Sequence, residues 1–306
     1  MDPHRGREPA SSLLEAVGGT PLVRLRRIAP EDVELFAKVE WYGPTGSVKD
    51  RIYAHMLGEA ERRGELRPGM TIIECTTGNA GIACAAAAAI KGYACTIVMP
   101  EGMSPERKRM IQAYGAELVL TPGAGTDIDL ALERMREIVA EAPDRYFFPG
   151  EFENPDNPAA QETSGEEIWD QTGGRGRCRR VAGTGGCITG VARALKRHDP
   201  LGPDVRGRAR GVPGRSPRSD GGRTGSRASA TGSSRGTSTP SLLDGIVTVT
   251  TEDALAMARR LAREEGMLCG PSSGINVVAA LKVAEKHPEL RHRDRHRGHR
   301  AAVPVG

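Results

Sequence analysis

From about residue 35 to residue 172 the chain alternates strand-like and helix-like stretches, and no other feature limits its possible folds as much. "LFAKVEWY" (35–42) has the β-branched and aromatic content of a strand. Lys49 to Arg63 reads as a helix, with Ile52, His55, Met56, Glu59 and Ala60 spaced around it. "GMTIIECT" reads as a strand, Gly81 to Lys91 as a tightly packed alanine-rich helix, and "ACTIVMP" as the next strand. Ser104 is placed to cap a helix running through Tyr114, and "AELVLTP" follows as a further strand. Alternation of this kind builds a parallel sheet covered on both faces, an α/β architecture. Later, residues 188–197, Glu252–Glu265 and Ile275–Lys286 resume helical spacing, and "DGIVTVTT" reads as a strand.

A chain of 306 residues is long enough for a large core and two lobes. No run of eighteen apolar residues exists, which predicts no membrane span. The stretch "MDPHRGREPASS" lacks the apolar core of a signal peptide, so a cytoplasmic location is expected. Cys75, Cys84, Cys95, Cys178, Cys187 and Cys269 lie far apart with no C-x-x-C. They read as buried thiols in a reducing compartment and not as a zinc site or a redox pair.

The net charge of +4 is local in origin. Residues 173–180, 201–241 and 291–300 together hold 17 Arg against Asp204, Asp220 and Asp294, and the remainder of the chain is acidic, with 26 basic and 36 acidic residues. All eleven aromatics lie before residue 170, so the Arg-rich segments lack the interleaved rings that stack on bases, and no nucleic-acid partner is expected. They read as flexible linkers or, given their abrupt edges and their Arg, Gly, Ala, Pro and Ser content, as stretches of a GC-rich gene read in a shifted frame. Resequencing the gene tests the second reading. His292, His296 and His299 read as part of a solvated charged tail, and no metal is expected.

Four motifs carry chemistry. In "GPTGSVKDR" (43–51), Lys49 opens a helix, where free N–H groups disfavour its ammonium form. An amine so placed can form a Schiff base, although a solvated lysine is the plain alternative. The spacing from Gly46 is wrong for a P-loop. In "ECTTGNAG" (74–81), Thr76, Thr77 and the N–H groups of Gly78 and Asn79 could cradle a carboxylate, or form an ordinary strand–helix turn. In "AGTGGCITG" (182–190), Gly183, Gly185 and Gly186 permit a concavity for a single phosphate. Ile188 stands where a dinucleotide fingerprint needs glycine, and an unliganded turn is the alternative. In "CGPSSGIN" (269–276), Ser272 could meet a ring nitrogen, or Ser272 or Ser273 could be an N-cap. An aldehyde for a lysine, one phosphate and a ring nitrogen together describe pyridoxal phosphate.

With "GGTPLVRL", "MPEGMSPERKRMIQAYGAELVLTPG" and "GMLCGPSSGINVVAAL" added in order, the chain resembles the cysteine synthase and cystathionine β-synthase family of fold-type-II pyridoxal-phosphate enzymes. The resemblance covers about residues 12–172, 182–200 and 242–287. It implies two three-layer lobes, each with a largely parallel sheet as in tryptophan synthase β. The smaller mobile lobe would span 40–147 and the larger cofactor-binding lobe 8–39 and 148–290, with 201–241 anomalous and an irregular basic tail at 291–306. By resemblance Lys49 holds the cofactor as an internal aldimine, and Asn79 bonds its ring hydroxyl oxygen. Gly183, Thr184, Gly185, Gly186 and Cys187 bind the phosphate, and Ser272 faces the pyridine nitrogen. Thr76, Thr77 and Gly78 hold the substrate carboxylate, with Glu151 at a further carboxylate-binding position.

The implied reaction is the replacement of acetate in O-acetyl-L-serine by sulfide through an aminoacrylate, with Lys49 as general base. Cystathionine β-synthase chemistry, an O-phosphoserine donor, or an impaired or frame-shifted paralogue are the alternatives. A homodimer and docking of the serine acetyltransferase C-terminal peptide are also implied. The chain departs from the family at Gly43 (asparagine), Ala80 (threonine), Glu151 (glutamine) and Cys187 (threonine), and lacks the "GIG" loop and "SGERYLS" segments.

Overall fold

A computed structural model describes residues 9–125, 127–174, 185–199, 205–210, 245–286 and 300–305, with 205–210, 245, 246 and 300 described by their backbone. In chain order the strands are β1 (Leu22–Arg24), β2 (Glu34–Val39), β3 (Thr71–Cys75), β4 (Ala94–Pro100), β5 (Glu117–Thr121), β6 (Tyr146–Phe147), β7 (Val205–Arg210), β8 (Gly245–Thr250) and β9 (Arg300–Val305). The helices are α1 (Lys49–Arg62), α2 (Asn79–Lys91), α3 (Pro105–Ala113), α4 (Ile128–Glu141), α5 (Asp156–Gln171), α6 (Gly185–His198), α7 (Thr251–Glu265) and α8 (Pro271–Lys286). They form two compact units, one of Met1–Gly19 with Trp41–Asp156 and the other of Thr20–Glu40 with Asn157–Gly306.

The first unit is a four-stranded sheet in the order β5-β4-β3-β6, parallel throughout. Every residue of β3 is buried, because helices cover both of its faces. Successive residues of β3 point to opposite sides: Ile72 joins the core of α1 and α2, and Ile73 joins Val98, Ala131 and Met135 under α4. Helix α1 buries Ile52, Tyr53, Met56, Leu57 and Ala60, a helical stripe in which each large side chain contributes about 1.5–3 kcal/mol. Helix α2 buries almost only alanine and Cys84, whose small volumes let it lie close to the sheet. It stops at Gly92, whose φ of 79° suits glycine.

The second unit holds a three-stranded sheet, β1-β2-β9, with β1 antiparallel and β9 parallel to β2, and a parallel pair, β7-β8. Lys38 on β2 is fully buried, and its ammonium is held by the Thr20 carbonyl (2.6 Å), Gln171 Oε1 (2.9 Å) and Glu167 Oε2 (2.6 Å). That set of partners offsets the cost of burying a charge and ties β2 to α5.

Several expectations change. The tail is not irregular throughout: residues 300–305 form β9, in register with Glu34–Val39. The apolar run Ala301–Val305 buries Ala302, Val303 and Val305, and the dense charges before it hid this from the sequence reading. Pro304 is tolerated because β9 is an edge strand. Order does not fail over all of 201–240 either. Val205–Arg210 is a strand, and its alternation of small residues with arginine has the strand period. The strand expected at 35–42 ends at Val39 and gives way to a 3-10 turn at Glu40–Tyr42. Ser104 stands at the N-cap of α3 without a capping hydrogen bond, and Pro105 supplies the helix start. Helices α2, α6 and α8 begin earlier than the apolar spacing indicates, so Asn79, Gly185, Gly186 and Ser272 all lie on first turns. Gly183, Thr184, Cys178 and the three tail histidines lie outside the described residues. No helix among the described residues is long and apolar enough to cross a membrane.

Candidate active site

The turn before α1 is built around Asp50. Its carboxylate accepts from the Thr45 N–H (3.0 Å) and the Thr45 hydroxyl (2.5 Å). A Cβ at Gly43 would stand 2.3 Å from Asp50 Oδ2, so the departure from asparagine at Gly43 has a steric reason here. Gly46 turns the chain with a φ of 76°, and the Ser47 hydroxyl accepts from the Lys49 N–H at 3.3 Å. Lys49 thereby becomes the first residue of α1.

The Lys49 amine meets Oε1 of Glu151. Glu151 is buried, so the contact is shielded from water. Behind it stands Glu74, the one acid of the otherwise uncharged β3. Burial first, and then the charge of Glu151, push the Glu74 carboxyl up to about 8. Hydrogen bonds from the Tyr53 hydroxyl (3.0 Å), the Cys75 N–H (3.0 Å) and the Glu151 N–H act in the opposite sense. Burial also pushes the Tyr53 phenol well above its ordinary range. Glu74 and Tyr53 received no role from the sequence. The signal was there: a lone acid inside "TIIEC".

Thr76 to Asn79 link β3 to α2. The Thr76 N–H donates to the Val98 carbonyl (3.2 Å), and Thr76 Oγ1 accepts from the Gly78 N–H (3.3 Å). Gly81 leaves room for this turn, since a Cβ there would lie 2.7 Å from Thr76 Cγ2. Thr76 and Ala80 are buried, Thr77 and Gly78 half-buried, and Asn79 exposed. Lys49, Glu151 and the 76–79 turn thus all belong to the first unit.

In the second unit, Gly185, Gly186 and Cys187 open α6 and are buried. A Cβ at Gly186 would stand 2.3 Å from Asn157 Oδ1. The first turn of α6 holds no acid, and its last turn holds Lys196, Arg197 and His198, so its start favours an anion. Ser272 is the second residue of α8 and exposed, and Ser273 N–H donates to the Gly270 carbonyl (3.0 Å). Neither serine is an N-cap. Within its own unit each feature suits one group of pyridoxal phosphate: the glycine start of α6 a phosphate, and the Lys49 amine an aldehyde.

Comparison with known proteins gives the same direction. The chain is 39% identical over 292 residues to a cysteine synthase of Staphylococcus aureus (strain Mu50 / ATCC 700699), covering 91% of this chain and 90% of the relative. It is 41% identical over 285 residues to cysteine synthase B of Escherichia coli (strain K12), covering 91% and 89%. The crystal structure of cysteine synthase (OASS) from Entamoeba histolytica superposes with a TM-score of 0.86 at 33% identity, covering 98% of this chain and 87% of that one. The sequence pattern of the family described as "Pyridoxal-phosphate dependent enzyme" runs from residue 13 to residue 294. Taken with a lysine pinned at a helix start and a glycine-opened helix with an acid-free first turn, it establishes that this chain belongs to the pyridoxal-phosphate dependent enzyme family.

Proposed function

We propose that the chain is a pyridoxal-phosphate-dependent cysteine synthase that replaces the acetate of O-acetyl-L-serine with sulfide. The observation that carries the reading is the Lys49 amine, set by the Asp50-centred turn at the start of α1 and shielded from bulk water beside Glu151. The cysteine synthase names of relatives matched over about nine-tenths of the chain support the choice of reaction.

When bound, the cofactor supplies an aldehyde that condenses with amines and a ring that draws electron density from the substrate α-carbon. Lys49 Nζ would hold the aldehyde carbon, and the same amine would serve as general base toward the substrate α-proton. Thr76, Thr77 and Gly78 orient the substrate carboxylate through hydroxyl and N–H groups at the start of α2. By the family resemblance Asn79 would bond the ring hydroxyl oxygen. Gly183, Thr184, Gly185, Gly186 and Cys187 would hold the phosphate, with the Cys187 thiol a weaker donor than a hydroxyl. Ser272 would face the ring nitrogen, and a neutral hydroxyl there would give that nitrogen no acid to pair with, which favours elimination at the β-carbon over transamination. A cytoplasmic homodimer and docking of a serine acetyltransferase C-terminal peptide belong to the same reading, on the strength of the family resemblance.

The test is borohydride reduction of the cofactor-loaded protein followed by peptide mapping, together with a cysteine-forming assay from O-acetyl-L-serine and sulfide. The label is expected on Lys49, and Lys49→Ala is expected to lose the label and at least about 10²–10⁴-fold in rate. A label elsewhere, or none in folded protein, overturns the reading.

A further inference from the structure

The turn that opens α2 offers a carboxylate only neutral donors of its own. Gly78 stands at the N-cap, so no side chain caps the first N–H groups of α2. Thr76 and Thr77 add hydroxyls, and Thr76 Oγ1 accepts from the Gly78 N–H. Where the resembled family carries threonine and glutamine, Ala80 has no hydroxyl and Glu151 no amide.

A cation stands beside this turn. A Cβ at Gly78 would meet Cζ and Nε of Arg107, each at 3.9 Å. The fold brings the two together: β3 and β4 are parallel neighbours, so α2 and α3, which follow them, both start at the carboxyl end of the sheet, where ligands of such sheets bind. Arg107 lies on the first turn of α3, and all these residues belong to the first unit. An arginine at a helix start opposes the helix dipole, so α3 itself gains nothing from it. The side chain is exposed and, among the described residues, in no ion pair. Its neighbour Glu106 is held by its own N–H and the Ser104 hydroxyl.

We propose that Arg107 is a substrate-binding residue of this site, whose guanidinium grips the α-carboxylate received by the 76–79 turn. A guanidinium matches both oxygens of a carboxylate with parallel, charge-assisted N–H bonds. Because Gly78 has no side chain, nothing of its own stands between the guanidinium and the turn. The proposal rests on the function proposed above and adds to it a residue that selects amino acids with a free carboxylate over their amides.

The test uses cofactor-loaded wild type, Arg107→Gln and Arg107→Lys. Each is titrated with L-alanine, which has no leaving group, and with L-alaninamide, which has no carboxylate, and binding is followed by the change in cofactor absorbance. Arg107→Gln is expected to weaken L-alanine about tenfold or more and to leave L-alaninamide unchanged, with Arg107→Lys in between. In cysteine formation the KM for O-acetyl-L-serine is expected to rise by a similar factor and that for sulfide to hold. Unchanged L-alanine binding, or equal weakening of both ligands as a merely structural role would give, overturns the proposal. Borohydride mapping separates this from a failure of the proposed function. A label absent from Lys49 overturns both, whereas unchanged L-alanine binding in protein labelled at Lys49 overturns the Arg107 grip alone.

Discussion

At the residue scale, Glu74 couples burial to pH. Its carboxyl is pushed from an ordinary value of 4.5 to about 8, so the folded chain holds this proton more tightly than the unfolded chain. The stabilising contribution is full below about pH 4.5 and is lost as pH rises through about 8, at no more than about 1.4 kcal/mol per pH unit. Urea denaturation at pH 5 through 9 is expected to show stability falling across this window in wild type and a flatter profile in Glu74→Gln. Parallel profiles would mean that Glu74 titrates in the fold as it does in the unfolded chain. Lys49 and the turn at 76–79 stood out as candidates because residue type and spacing state what a motif can bind. Glu151 was legible only as a departure. Its contact with Lys49 joins positions 102 apart in the chain, a pairing that no local spacing encodes.

At the element scale, helix crossings in the second unit depend on missing side chains. A Cβ at Gly190 of α6 would stand 2.0 Å from the Pro158 carbonyl oxygen of α5 and 2.7 Å from Gln161 Cβ. Backbone has to move to admit it, so Gly190→Ala is expected to cost about 1–3 kcal/mol in a denaturation titration. Gly58 of α1 provides the contrast, because a Cβ there meets nothing within 4 Å. Gly58→Ala is expected to stabilise by about 0.4–1 kcal/mol through the unfolded chain. The sequence shows both positions as glycines within helical stretches and gives no sign of the difference. Element identity was easier to read than element ends. The strand "ACTIVMP" coincides with β4, yet α8 starts at Pro271 instead of Ile275, since a first turn carrying Pro, Ser, Ser and Gly lacks the apolar spacing that marks a helix.

At the scale of the whole molecule, the chain's last strand completes a sheet begun near its start. β9 pairs with β2 along six residues, and Asn276 Nδ2 donates to the Pro304 carbonyl at 2.7 Å. Deleting residues 300–306 is expected to remove roughly 3–6 kcal/mol of buried Ala302, Val303 and Val305 and to bare the edge of β2. Circular dichroism and size-exclusion chromatography of the truncated chain check this: a monodisperse protein with wild-type melting would show β9 to be dispensable. Periodicity and motif order by themselves determined the parallel α/β class and the family, and singled out Lys49 and the glycine-rich turns, because these depend on residues close together in sequence. The tertiary structure alone decided that a basic tail ends in a paired strand, that Gly43 makes way for Asp50, and that two buried acids stand behind Lys49. Each of these rests on distance through space and exclusion of water, which a linear order of residues does not carry.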